Sequence, residues 1–373
     1  MKTRRKGLVV ISAALIGVLF ISSISCSKPK GQESASSDGS VSATAVKSRL
    51  KKLIVPLALS GYTTILSVIA KEEGIYEKNG LDVKLEVVNL SGMDLLNAVI
   101  SGKLDIALST GSVTPFLGPE EGLDVVTIGG TMTESGALFT TAENAPEYAV
   151  LSKAVLTGKT IGNTRVSSSN FAIRGYTATL GLDVYESINW VDLDSYPTII
   201  EAVRKGSLDL GTVANYYRQR VEDEGFKIVK HLGELSPDYI CCRIATTRKN
   251  IEEDRDRYVK FLKSQIEAYK FFNENHARSL ELALKYYELD RDILENEFFD
   301  YGHITYKPDP LEKRLLEQYE RMTLLGYAKG TLNIRDHIDV SIYQDALQQV
   351  LDENPGDIFF LDLKKEFDEN NNL

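Results

Sequence analysis

A ten-residue phrase occurs twice in this chain. Ala98-Val99-Ile100-Ser101-Gly102-Lys103-Leu104-Asp105-Ile106-Ala107 is echoed by Ala202-Val203-Arg204-Lys205-Gly206-Ser207-Leu208-Asp209-Leu210-Gly211. Each copy reads as the end of a helix, a glycine, a short loop, and a buried strand opening at Leu-Asp. Glycine takes the left-handed conformation that closes a helix at little steric cost. Two such turns point to two similar α/β halves. Chance recurrence of a common helix-to-strand turn is the plainer reading of the phrase taken alone.

The flanking sequence extends the pattern. Lys52 to Leu59 is a short apolar run, Thr63 to Glu73 has helical spacing, and Asp82 to Asn89 alternates as a strand does. Met93 to Ser101 reads as a helix, and Leu104–Leu108 and Asp124–Ile128 as short strands. A second series follows Ala142. Its strands are Lys159–Gly162, Ile188–Leu193, Ser207–Val213 and Phe226–Val229, and its helices are Asn170–Leu180 and Pro197–Lys205. Tyr239 to Thr246 is a longer β-rich stretch. From Ile251 the chain turns helical, with one apolar stripe through Tyr258, Phe261, Leu262, Ile266, Tyr269 and Phe272. Further helices fall around 278–286, 291–300, 310–325 and 340–351. Strands separated by helix-length segments predict βαβ units and largely parallel sheets.

The N-terminus predicts export. Lys2, Arg4, Arg5 and Lys6 precede an apolar run from Leu8 to Ile24, the form of a secretory signal peptide. The run ends in Ser23-Ile24-Ser25-Cys26, which resembles a bacterial lipobox with Ser23 in the usual leucine position. That resemblance implies cleavage of residues 1–25 and a lipid on Cys26, anchoring the chain to the outer face of a membrane or in the periplasm. Seven of the 22 residues from Ser27 to Ser48 are serine. Such a segment buries too little surface to fold, so 26–49 reads as a flexible tether. No later apolar run reaches the roughly 20 residues that span a bilayer. The 373 residues carry a net charge of −10, which disfavours nucleic acid as the main partner. Three cysteines make no disulfide framework.

The segments "AKEEGIYEKNGLDVKLEVV" and "AVISGKLDIALSTG" resemble the solute-binding proteins of the nitrate, taurine, sulfonate and thiamine-pyrimidine uptake group. So do "LTGKTIG" at 156–162, "AVRKGSLDLGTV" at 202–213, "YVKFLKSQIEAYKFFNEN" at 258–275, "PDPLEKRLLEQYERMTLLGYAKG" at 308–330 and "DHIDVSIYQDAL" at 336–347. The resemblance covers residues 52–351. It implies a type II periplasmic-binding-protein fold of the α/β class, with two lobes, each a mostly parallel sheet flanked by helices. Lobe one would hold residues 50–135 and 245–355, and lobe two 143–236. Crossing strands at 136–142 and 237–244 would form the hinge, and 356–373 a C-terminal tail. The resemblance further implies a monomer without cofactor that hands its solute to an ABC permease and its ATPase subunit.

Ligands of open parallel sheets sit at the carboxyl ends of strands. That rule selects Tyr62, Ser91 and Gly92, Thr110 and Gly111, and Thr133 and Glu134 on the first half. On the second it selects Ser167, Ser168, Ser169, Asn170, Tyr196, Asn215 and Tyr216. The Ser167–Asn170 run opens a helix, where free N–H groups and the helix dipole favour an anion; plain N-capping uses the same residue types. Arg165 and Arg174 flank it, as charge donors or as surface side chains. Tyr62, Tyr196, Tyr216 and Tyr217 offer aromatic faces to a planar ring, or ordinary packing. Glu134 suits an amine, or is simply solvated.

Two other classes compete with this reading. Related yeast thiamine-pyrimidine synthases carry a cysteine-rich run near the second crossing, where this chain has only Cys241-Cys242. Neighbours on a strand face opposite ways and seldom bridge, so the pair reads as two small hydrophobes. His231, His276, His303 and His337 lack paired metal-ligand spacing, and no nucleophile elbow or P-loop occurs. The expectation is therefore no catalytic residue and no metal. The third class is a sensor or interaction lipoprotein on the same fold.

Overall fold

Ten strands in three sheets organise the computed structural model, which describes residues 50–58, 62–90, 92–133, 135–165, 167–237, 239–300 and 304–371. The signal peptide, the tether and Cys26 lie outside those residues, as do Ser91 and Glu134. Among the described residues, no helix is long and apolar enough to cross a membrane.

The first body is built on two small sheets. β1 (Lys51–Leu57) and β2 (Leu81–Val87) run parallel, joined by the helix Ile65–Glu72 and a short turn of helix at Ile75–Lys78. β3 (Val125–Thr133), β9 (Ile240–Thr247) and β10 (Thr305–Tyr306) form an antiparallel sheet in the order β10-β3-β9. Residues 104–108, expected as a strand, instead make a narrow bridge between these sheets. Asp105 bonds to Ile54 of β1 and Ala107 pairs with Ala245 of β9. Ser109, at φ 60°, leaves the extended region and stops the ladder there.

The second body is a five-stranded sheet of order β6-β5-β7-β4-β8, from β4 (Ala137–Thr141), β5 (Thr160–Thr164), β6 (Asn189–Leu193), β7 (Leu210–Val213) and β8 (Phe226–His231). β5 is parallel to β6 and β7, whereas β4 is antiparallel to β7 and β8. Side chains alternate across it. Leu138 packs into one cluster with Ala172 and Ile173 of the helix Ser168–Thr179. Ala137 and Phe139 pack into another with Ile199, Ile200 and Val203 of the helix Tyr196–Arg204. Helices thus cover both faces of the central strands β5, β7 and β4, which are mostly buried, while the edge strands β6 and β8 are half-exposed.

The α/β class holds, but the sheets are mixed rather than mostly parallel. Each strand that follows a passage between the bodies enters its new sheet antiparallel to a neighbour. The passages are also shorter than expected. Most of 136–142 is β4 itself, and the chain passes between Thr133 and Ala137. Most of 237–244 is the start of β9, and the return runs from Ser236 to Tyr239.

The C-terminus is not a tail. Asp357 caps a helix over Ile358–Asn370 by accepting from Phe359 N. Phe360, Leu363 and Phe367 bury in the same core as Tyr258, Phe261, Leu262 and Ile266 of the long helix Arg248–Glu274. Their i, i+3, i+7 spacing is helical and was present in the sequence. Asn371 then bonds to Asp309 and to Glu312 N.

Candidate functional site

A cavity of about 360 Å³ lies between the two bodies, within the usual size range for a small-molecule site. The first body contributes the loop after the first Leu-Asp turn. This loop brings Ser109, Thr110, Gly111, Ser112, Val113 and Thr114 to the cavity, with Gly92, Thr63 and Met132 beside it. The second body contributes Ser167, Ser168 and Ser169 at the start of their helix, together with Tyr196, Ala214 and Tyr216. Ser135 of the first passage and the Cys241–Cys242 pair at the start of β9 complete the wall.

Eight expected residues therefore meet in one place: Gly92, Thr110, Gly111, Ser167, Ser168, Ser169, Tyr196 and Tyr216. Four others do not line it. Tyr62 is buried, and its hydroxyl donates to Glu297 Oε2 at 2.8 Å. Thr133 is held in the sheet opposite Thr305 and Ile240. Asn215 accepts from Gly136 N at 2.6 Å and so pins the first passage. Gly136 sits at φ 145°, and a Cβ there would lie 2.8 Å from Ser169 Oγ and from Leu232 Cδ1; only glycine fits. Asn170 is fully buried, its Oδ1 accepting from Arg174 Nε at 2.7 Å. Arg174 is neither at the surface nor in the cavity. It is buried with its guanidinium 4.3 Å from the Trp190 ring centre.

The serine run divides its work. Ser167 is the N-cap, its Oγ accepting from Asn170 N at 3.2 Å. Ser168 Oγ accepts from Ser112 Oγ at 2.9 Å and donates to the Cys241 carbonyl of β9 at 3.0 Å, tying the second body to the first at two points. The first N–H groups of a helix have no intrahelical acceptor; here Ser167 takes up Asn170 N and Phe171 N, and Ser168 and Ser169 line the cavity.

The tyrosines make one wall rather than a sandwich. Tyr196, Tyr216 and Tyr217 pack with ring centres 5.0–6.0 Å apart, all on the second body. Burial pushes the Tyr196 hydroxyl up to about 12 and Tyr216 higher still, so both stay neutral donors. The opposite wall is hydroxyl and backbone. No lysine, arginine, histidine or carboxylate is among the described lining residues.

A buried ion pair spans the bodies beside this site. Arg218, just after the Asn215–Tyr217 turn, donates through Nη2 to Glu297 Oε1 at 2.9 Å, and Tyr62 holds the other oxygen. Burial outweighs the Arg218 charge and leaves the Glu297 carboxyl raised. Sequence reading missed this pair because its members lie far apart in the chain on separate bodies. It also missed Ser112–Thr114, although they continue the loop it had selected.

The cysteines depart most from expectation. Cys241 Sγ and Cys242 Sγ lie 3.5 Å apart, and both residues face the cavity.

A family model described as NMT1/THI5 like matches residues 63–278. No curated protein matches the sequence. Among solved structures, the periplasmic aliphatic sulphonate binding protein SsuA from Escherichia coli is similar at 18% identity and TM-score 0.64, covering 78% of this chain and 92% of its own. The periplasmic nitrate-binding protein NrtA from Synechocystis PCC 6803 is similar at 12% identity and TM-score 0.65, covering 82% and 91%. A Candida albicans gene product with the generic periplasmic binding protein fold is similar at 14% identity and TM-score 0.59, covering 78% and 96%. At such identities the likeness establishes the fold.

Proposed function

Because the chain belongs to the NMT1/THI5-like family and has the periplasmic-binding-protein fold, we propose that it is the extracytoplasmic solute-binding component of an ATP-driven importer. On this reading it captures a small organic solute between its lobes and hands it to a membrane permease. It carries out no reaction and works as a monomer on a lipid attached to Cys26. The observation that carries the reading is the inter-lobe cavity, with neutral hydroxyl donors on one wall and tyrosines on the other. Hydrogen bonds across it, such as Ser112 to Ser168, suit a closed state that opens by rotation about the two short passages.

The lining favours a planar, weakly charged ring of the thiamine-pyrimidine precursor kind. Tyr216 and Tyr196 offer faces for stacking, and hydroxyls opposite supply edge contacts. A sulfonate such as taurine is the second reading, supported by the helix start at Ser168, where N–H groups favour an anion.

Thermal unfolding against aminopyrimidines, riboflavin, taurine, alkanesulfonates, nitrate and bicarbonate tests both. A true ligand at 100 times its Kd stabilises by about 2.7 kcal/mol, a shift of a few degrees. Tyr216→Ala should abolish a pyrimidine shift and spare a sulfonate shift. No shift from any compound, with mass spectrometry of the native protein finding the cleft empty, would overturn the solute-binding reading.

A further inference from the structure

Adjacent residues on a regular strand point to opposite faces, so Cys241 and Cys242 should not meet. They meet because the ladder slips here. Met132 of β3 pairs with Cys242, and the next residue, Thr133, pairs with Ile240, so Cys241 is the extra residue of a bulge. The bulge turns both sulfurs to one side, 3.5 Å apart, on the cavity wall. Cys242 is buried and Cys241 half-buried, so Cys241 is the more accessible of the two residues on the cavity wall. The Ser168 hydroxyl fixes the backbone between them by donating to the Cys241 carbonyl at 3.0 Å.

The next residue supplies charge. Arg243 is fully buried, and its guanidinium donates to the carbonyls of Asp309, Pro310 and Met132, at 3.0, 3.2 and 3.0 Å, rather than to a carboxylate. A buried cation beside two thiols favours a thiolate. Hydrogen bonding from Cys242 first, and the Arg243 charge with it, hold the Cys241 thiol below its usual value; Cys242 is pushed up.

We propose that Cys241 and Cys242 form a dithiol site in the cleft wall that exchanges with low-molecular-weight disulfides and closes to a disulfide between sequence neighbours. The Cys241 thiolate attacks one sulfur of R–S–S–R, forming a mixed disulfide and releasing one thiolate. Cys242 then loses its proton and attacks Cys241 Sγ, expelling the second. Two protein thiols and one small disulfide become one protein disulfide and two small thiols, with no other oxidant. The sulfurs must close from 3.5 Å to about 2.05 Å. Adjacent Cα atoms are about 3.8 Å apart, below the usual span of a disulfide, so the bond is strained and readily reduced. The site is thus a reversible one, and its closure reshapes the wall that meets the ligand. The proposal stands independently of the importer reading.

Trypsin cleavage after Lys230 and Arg243 isolates both cysteines in one peptide, His231–Arg243, apart from Cys26. The folded full chain is exposed to oxidised glutathione, quenched in acid, unfolded, alkylated and digested. The expected peptide is about 2 Da lighter than the dithiol and carries no alkyl group, and a small thiol then restores two alkylation sites. Cys242→Ser should stop at one glutathione on Cys241. Cys241→Ser should react at least tenfold more slowly, since the buried thiol alone remains. A wild-type peptide that takes two alkyl groups after exposure, or that keeps glutathione without closing, overturns the proposal. So does a Cys242→Ser chain that takes up no glutathione.

Discussion

The two Leu-Asp turns are alike up to the aspartate and different after it. In the first, Lys103 N and Leu104 N both reach Ala98 O, at 2.9 and 3.1 Å; in the second, Ser207 N and Leu208 N both reach Ala202 O, at 2.9 and 3.3 Å. Gly102 and Gly206 close the helices at φ 72° and 71°. Asp105 N donates to Ile54 O and its carboxylate accepts from Ile54 N. Asp209 does the same with Thr160. Beyond that point the first copy makes one bridge and turns at Ser109 into the hydroxyl-rich cavity loop. The second runs on as β7, paired on both sides, and ends at Asn215 and the tyrosine wall. Ten residues of local sequence set the turn. The neighbours available on either side set how long the strand is, and so which wall of the cleft it feeds.

The largest test of that asymmetry is at the exits. The second exit sends Arg218 across the cleft to Glu297, whereas the first sends only hydroxyls. Arg218→Met should cost about 3 kcal/mol in denaturant unfolding, because it strands a buried carboxyl, although protonation of Glu297 limits the loss. Ser112→Ala, on the first exit, should cost about 1 kcal/mol. Equal costs would mean the two exits do not differ energetically.

Next come the matched positions Ala107 and Gly211. A Cβ on Gly211 would lie 2.6 Å from Phe139 Cε1 and 2.7 Å from Ile199 Cγ2, so Gly211→Ala should destabilise by about 2 kcal/mol through overpacking. Ala107→Gly removes a methyl where one already fits and should cost about 1 kcal/mol or less. The reverse order would break the claim that β7 is the more tightly enclosed strand.

The shared part of the turns should respond alike. Asp105→Ala and Asp209→Ala should each cost about 1 kcal/mol at the melting transition. Asp105 also meets Arg257 Nη1 at 3.2 Å, and that small excess should vanish in high salt. A clear difference that persists in salt would mean the turns are not equivalent.

The smallest effect is in pH. A carboxyl raised on folding binds its proton more tightly in the folded state. The stability it contributes is present below its unfolded value and is lost as pH rises through the folded one. Glu297 therefore subtracts stability at neutral pH, chiefly by its burial. Glu297→Gln should flatten the fall in stability that begins just above pH 4.5 and leave the first-exit loop unaffected. An unchanged pH profile would remove Glu297 as its source.

The sequence alone determined most of the elements and the recurrence of the Leu-Asp turn, and it selected Ser167–Ser169, Tyr196 and Tyr216, which line one cavity; it did not show that 104–108 stops at a bridge or that 358–370 is a packed helix. Periodicity and caps are local, so they survive in one dimension. The tertiary structure decided strand direction, because alternation of side chains is the same in parallel and antiparallel pairing. It also decided that Tyr62 turns inward to Glu297 and that Arg174 lies on Trp190. It brought Cys241 and Cys242 together, because a bulge exists only once one strand is laid against another. Contacts of that kind join residues on different elements, from 16 positions apart for Arg174 and Trp190 to 235 for Tyr62 and Glu297, and only the folded chain places them side by side.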